Sequence, residues 1–71
     1  MKLSQLNDGQ DGRIIRINGG KKLRQKLALR GINEGINFKI ISANGPVTLK
    51  TNGNTITIGK GMANKIYVRI L

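Results

Sequence analysis

The sequence predicts a mainly β domain, a small barrel of about five strands with one α-helix inserted after the first strand. Short segments rich in β-branched residues alternate with glycine-containing turns, and a single longer segment consists of helix-forming residues. The chain has 71 residues, which allows one domain over residues 1–71. We expect the sheet to close into a barrel, because closure removes exposed strand edges.

The predicted strands are the segments in which β-branched and other apolar residues dominate. They cover residues 12–17, 38–40, 47–50, 56–58 and 66–70. Ile41 breaks the alternation that begins at Phe38. The turns that contain Asn44-Gly45-Pro46 and Asn52-Gly53 are typical hairpin signals. Residues 62–64, just before the last strand, have the length of one tight helical turn.

The predicted helix covers residues 21–30, which are Lys, Arg, Gln, Leu and Ala, all of them residues that favour helix. Leu23 and Leu27 are four positions apart, so they share one face of this helix. Gly31 follows as a left-handed cap, after which Ile32 can fold back onto the last turn. A helix of about ten residues is not stable alone, so the two leucines must pack on the sheet.

The charge balance and the missing residue types limit the possible functions. Thirteen Lys and Arg residues face three acids, a net charge of +10. Such a chain attracts nucleic acid, acidic protein surfaces or anionic lipid. The chain has no His and no Cys, which excludes Ser-His and Cys-His nucleophile pairs and the usual zinc sites. We expect a non-enzymatic binding module with no catalytic residue, no cofactor and no metal site.

The sequence also bears on where the protein works. Residues 1–9 lack the apolar core of a signal peptide. No stretch of the chain approaches the roughly 20 apolar residues that a membrane helix needs. The absence of cysteine fits a reducing compartment. We therefore expect a cytoplasmic protein.

The basic helix is the candidate partner-binding region. On a helical wheel Leu29 lies away from Leu23 and Leu27. One interpretation is a solvated face, with Leu29 either an ordinary exposed leucine or tucked inward by a tightened last turn. The other is a docking surface for an acidic partner. The residues proposed for that surface are Lys22, Lys26, Leu29 and Arg30.

Binding of single-stranded nucleic acid is the alternative function. Small barrels bind single strands through basic grooves in which exposed aromatic rings stack on bases. The aromatic residues of this chain are Phe38 and Tyr67. We expect Phe38 to lie in the core, which leaves Tyr67 as a single stacking platform. Nucleic acid is therefore the less favoured partner, though the charge keeps it open.

Several short motifs follow one another in a fixed order along the chain. They are Leu3, Leu6 and Gly9, a strand ending at Gly19-Gly20, the run 27–32 (Leu-Ala-Leu-Arg-Gly-Ile), Glu34-Gly35, Gly45-Pro46-Val47, Ile56 and Ile66-Tyr67-Val68. Together they resemble the FeoA family over essentially the whole chain. The chain departs from the family pattern at Glu34, where the family has proline. It also has Leu29 where a polar residue is usual and Arg30 where an apolar one is usual.

The resemblance implies an SH3-like barrel and a function in ferrous iron transport. The protein would be a cytosolic accessory of FeoB, the GTP-binding membrane transporter for ferrous iron, and would neither hydrolyse GTP nor carry iron. A related domain forms the tail of iron-dependent repressors, where it also serves protein contacts. We further expect weak contact with an anionic membrane surface, at the inner face of the cell membrane.

Overall fold

A computed structural model of the protein describes residues 1–71. It contains five β-strands and two α-helices, in the predicted order, after a short 3₁₀ turn at Leu3–Gln5. The elements are β1 (Asp11–Ile17), α1 (Lys21–Leu29), β2 (Asn37–Ser42), β3 (Val47–Thr51), β4 (Asn54–Ile58), α2 (Lys60–Ala63) and β5 (Ile66–Ile70). The mainly β fold with one inserted helix is therefore confirmed.

All five strands belong to one antiparallel sheet, in the order β4-β3-β2-β1-β5. The end strands β4 and β5 do not pair with each other, so hydrogen bonding leaves the barrel partly open. The N-terminal residues cover the edge of β5, since Val68 N–H donates to Met1 O at 2.7 Å. At the other edge, Arg30 Nη2 donates to Thr57 O of β4 at 2.6 Å. These contacts protect the two edges, and the five-stranded antiparallel sheet around one core has the small-barrel architecture that the sequence predicts, although hydrogen bonds do not close it completely.

One apolar core lies inside the curled sheet. It consists of 15 buried residues, to which every strand contributes. Phe38 is 4% exposed and Leu27 is fully buried, so both lie in the core as predicted. Leu3 and Leu6 seal one end of the core, and the Ser4 hydroxyl donates to Asn64 Oδ1 beside α2. The 3₁₀ turn that positions these N-terminal residues was not predicted from the sequence.

Two β-bulges interrupt the sheet. The pairing of β1 with β5 shifts between Ile14 and Arg16, and the pairing of β2 with β3 shifts between Ile40 and Ser42. A bulge inserts one extra residue, so the inward–outward alternation is offset at that point. One isoleucine at each bulge faces solvent, Ile15 at 52% and Ile41 at 47% exposure. Ile41 is exposed in step with the alternation of β2, so it is an apolar residue at an outward position.

Candidate partner-binding surface

Helix α1 is held on the sheet by its leucines. Leu27 is fully buried, and Leu23 packs half-buried against the core. The Leu23 side chain occupies the space that a Cβ at residue 19 would need, so Gly19 permits this close approach. Residues Lys21, Lys22, Gln25 and Lys26 remain exposed on the opposite side.

The end of α1 has the predicted glycine cap. Gly31 adopts φ +85°, a left-handed conformation that glycine tolerates. Ile32 N–H donates to Leu27 O at 2.9 Å, and Gly31 N–H donates to Ala28 O at 3.0 Å. These two bonds form a Schellman motif, which satisfies carbonyls at the helix end. Ile32 is fully buried, so the cap also fixes the chain that follows.

A polar network ties α1 to the end of β1. Arg24 Nη2 lies 2.9 Å from Glu34 Oε1, and Arg24 Nη1 donates to Ile17 O at 3.1 Å. Glu34 Oε2 accepts the Ile17 N–H at 3.1 Å. One carboxylate thus bonds to both a strand and a helix, which gives Glu34 a structural role. Sequence reasoning did not find this network.

Leu29 stands outside the core on the exposed side of α1. It is 90% exposed, so the last turn of the helix does not tuck it inward. Lys22 and Lys26 are also exposed. Neither takes part in an ion pair, because Arg24–Glu34 is the only salt bridge in the structure. The surface is therefore a solvated leucine bordered by two free ammonium groups.

Arg30, the fourth predicted member of this surface, is already engaged within the protein. It is the C-cap of α1, and its guanidinium donates to the Thr57 carbonyl of β4. Arg30 is exposed, but its contact with β4 bridges the helix end and the sheet edge. The cations of α1 therefore differ in their contacts. The side chains of Arg24 and Arg30 bond to other parts of the protein, whereas Lys22 and Lys26 form no salt bridge.

The three carboxylates lie apart from one another. Asp8 Oδ1 accepts the Ala43 N–H at 2.8 Å, Glu34 belongs to the Arg24 network, and Asp11 lies opposite Lys39 in the sheet. No group of three or more His, Cys, Asp or Glu side chains is placed to hold a metal ion.

None of the helices has the length and apolar character needed to span a bilayer.

The two aromatic rings are both engaged. Phe38 is in the core, as predicted. Tyr67 is half-buried, and the Arg16 guanidinium carbon lies 4.9 Å from the centroid of its ring, a cation–π contact. The platform on which a base would stack is thus covered on one face by Arg16, which argues against the nucleic-acid alternative.

The fold and this surface place the protein in the class of small SH3-like β-barrel modules, with a basic helix exposed on the outside. Residues 1–70 match the model of the FeoA domain family, and the chain belongs to that family. A relative in Methanocaldococcus jannaschii, which carries the name Fe(2+) transport protein A, is 39% identical over 67 residues. That match covers 93% of this chain and 82% of the relative.

Solved structures show the same fold. The crystal structure of an iron uptake regulatory protein, FeoA, has a TM-score of 0.92 at 34% identity, covering 100% of this chain and 96% of that one. The crystal structure of IdeR from T. acidophilum has a TM-score of 0.92 at 28% identity. The match covers 100% of this chain and 34% of IdeR, so there the fold is one part of a longer protein.

Proposed function

We propose that this protein is a non-enzymatic accessory of ferrous iron uptake that binds the cytosolic part of a FeoB-like, GTP-binding transporter. Support for the iron-uptake role comes from membership of the FeoA domain family and from the relative that carries the name Fe(2+) transport protein A. The proposal assigns the protein to the cytoplasm, at the inner face of the membrane that holds the transporter.

The observation that carries the binding function is the exposure of Leu29. Burying a leucine side chain stabilises a complex by about 1.5–3 kcal/mol. Lys22 and Lys26 border this leucine without internal partners. An apolar centre with a charged rim is the usual composition of a transient protein interface. The complementary partner surface is an apolar pocket with an acidic border.

The proposal gives this chain no catalytic, cofactor-binding or metal-binding residue. The chain lacks His, the side chain that most often acts as a general base near neutral pH, and it also lacks Cys. The carboxylates of Asp8 and Glu34 already serve structural hydrogen bonds. Regulation through contact, and not chemistry on a substrate, is the function that such a surface can perform.

Leu29→Asp tests the proposal directly. Purified protein is titrated against the cytosolic part of the FeoB-like transporter from the same organism, and the dissociation constant is measured by calorimetry. We expect at least a tenfold loss of affinity, since the variant places a charge in the apolar centre of the interface. Circular dichroism should show an unchanged fold, because residue 29 is 90% exposed.

Matched charge reversals sharpen this test. Lys22→Glu changes the rim of the proposed surface, whereas Lys39→Glu makes the same charge change on β2. Rim charges act mainly on the association rate, so Lys22→Glu should slow association more than Lys39→Glu does. Equal affinities for the wild-type protein and Leu29→Asp would exclude this surface. If both reversals slowed association equally, the effect would come from the net charge of the protein and not from the position of Lys22.

A further inference from the structure

A second cationic surface lies on the outer face of the sheet, away from α1. Outward side chains of β1, β2, β3 and β5 alternate there with core residues. Lys2, which forms an isolated bridge with Tyr67, adds to the same side. This outer sheet face is defined by Lys2, Arg13, Arg16, Lys39, Lys50 and Arg69.

The cations of the outer sheet face are neighbours in the strand register. Arg13 lies directly opposite Arg69, and Lys39 lies directly opposite Lys50. Like charges that face each other across strands are destabilising. Asp11 is the one acid on these rows, and it forms no salt bridge. The sheet therefore concentrates positive charge on this face, where Asp11 opposite Lys39 is the one acidic neighbour.

Apolar side chains at the two bulges lie beside these cations. Ile15 and Ile41 are about half exposed, and they stand near opposite ends of the outer sheet face. From the register of Arg13 opposite Asn37, they are roughly 20 Å apart along the strands, at about 3.3 Å per residue. Exposed isoleucines at the borders of a basic surface are the combination that favours the headgroup region of a bilayer.

We propose that the outer sheet face binds the surface of an anionic membrane. The three arginines suit lipid phosphates because a guanidinium can donate two parallel hydrogen bonds to a phosphate. Arg13 can still do so through its two Nη groups, since it is Nε that donates to Asn37 Oδ1 at 2.8 Å. Ile15 and Ile41 enter the boundary between headgroups and acyl chains. The proposal relies on the proposed function in one respect only, since the FeoB-like transporter is what brings the protein close to a membrane.

Lipid is favoured over nucleic acid on this face for a structural reason. Bases of a single strand stack on open aromatic rings, but Tyr67 is half-buried and Arg16 occupies one face of its ring. The exposed isoleucines have no role in phosphate recognition along a nucleic-acid backbone, whereas they gain free energy by entering a bilayer interface.

The two surfaces of the protein can work at the same time. Leu23 and Leu27 pack α1 against the core, whereas the side chains of the outer sheet face point away from the core. A protein seated on lipid through the sheet would still present Leu29 to a cytosolic domain. Membrane contact would then hold the protein at the bilayer surface beside the transporter.

The test is sedimentation of the full chain with vesicles of phosphatidylcholine, with and without phosphatidylserine. We expect binding only to the vesicles that contain phosphatidylserine. The double variant Arg13→Gln/Arg69→Gln should bind about thirtyfold more weakly, since each basic residue near such a surface contributes about fivefold. The matched control Lys21→Gln/Lys60→Gln removes the same charge from the first residues of α1 and α2, and it should bind nearly as well as the wild-type protein.

A second variant and a second ligand complete the experiment. Lys39→Gln/Lys50→Gln provides an independent change on the same face, in case the arginine variant fails to fold. Equal losses in the outer-face variants and the control would overturn the proposal, as would an absence of binding to phosphatidylserine. Tighter binding of a fluorescent single-stranded RNA than of vesicles at the same salt concentration would instead assign the face to nucleic acid. No transporter is present, so failure here leaves the proposed function intact.

Discussion

The two sides of helix α1 have different tasks, although they are separated by only part of a turn. On the inner side Leu27 lies in the core and Arg24 is bonded to Glu34 and Ile17. On the outer side Lys22 and Leu29 contact solvent. The residues that hold the helix and the residues that a partner can reach are thus largely separate. Changes on the outer side can therefore alter binding without unfolding the protein.

The largest effect on stability is expected at Leu27. Leu27→Ala leaves a cavity in the core and should lower the free energy of unfolding by about 2–5 kcal/mol. Leu29→Ala is the matched control, since it makes the same chemical change two residues away on the exposed side. It should alter stability by less than about 0.5 kcal/mol. Chemical denaturation measures both, and similar losses for the two variants would contradict the division of the helix.

A smaller effect is expected at the cap of α1. Gly31→Ala forces a side chain into a left-handed conformation, which costs about 1–2 kcal/mol. The control is Gly61→Ala in α2, where the backbone is not left-handed and no atom lies within 4 Å of the added Cβ. We expect this control to be neutral or slightly stabilising. A thermal melt in which Gly61→Ala is the more harmful variant would argue against the Schellman cap.

The smallest of these effects is expected at Glu34. Glu34→Ala removes the acceptor of the Ile17 N–H and the partner of Arg24, and should cost about 1 kcal/mol, because both groups can in part turn to water. Glu34→Gln keeps one carbonyl acceptor, so it should lose less. Equilibrium denaturation measures the free energy of unfolding of both variants. The difference between them separates the contribution of the hydrogen bonds from that of the negative charge of Glu34. If Glu34→Ala proved as stable as the wild-type protein, the network would have no structural role.

Local patterns in the sequence were sufficient for most of the fold. The run from Lys21 to Gly31 contains helix formers, leucines four apart and a terminal glycine, and the structure has a capped helix there. Asn52-Gly53 predicted a hairpin, and β3 and β4 pair around it. These features depend on residues that are close together in the chain, so they can be predicted from the sequence.

The candidate surfaces were only partly predictable. The helical wheel separated Leu29 from the buried leucines, but it could not show that Arg30 reaches the β4 edge. Nothing local linked Glu34 to Ile17, 17 positions earlier. The outer sheet face was missed altogether, because it depends on Arg13 and Arg69 meeting across two strands that are far apart in sequence.

By itself the sequence determined the element types, the composition of the core, the large positive charge and the lack of His and Cys, since each of these follows from residue type and short-range spacing. The tertiary structure alone decided which cations stay unpaired, which strands bring like charges together and which isoleucines at the bulges face solvent. The physical reason is that these properties arise from strand register and from contacts between distant segments, which depend on how the whole chain packs.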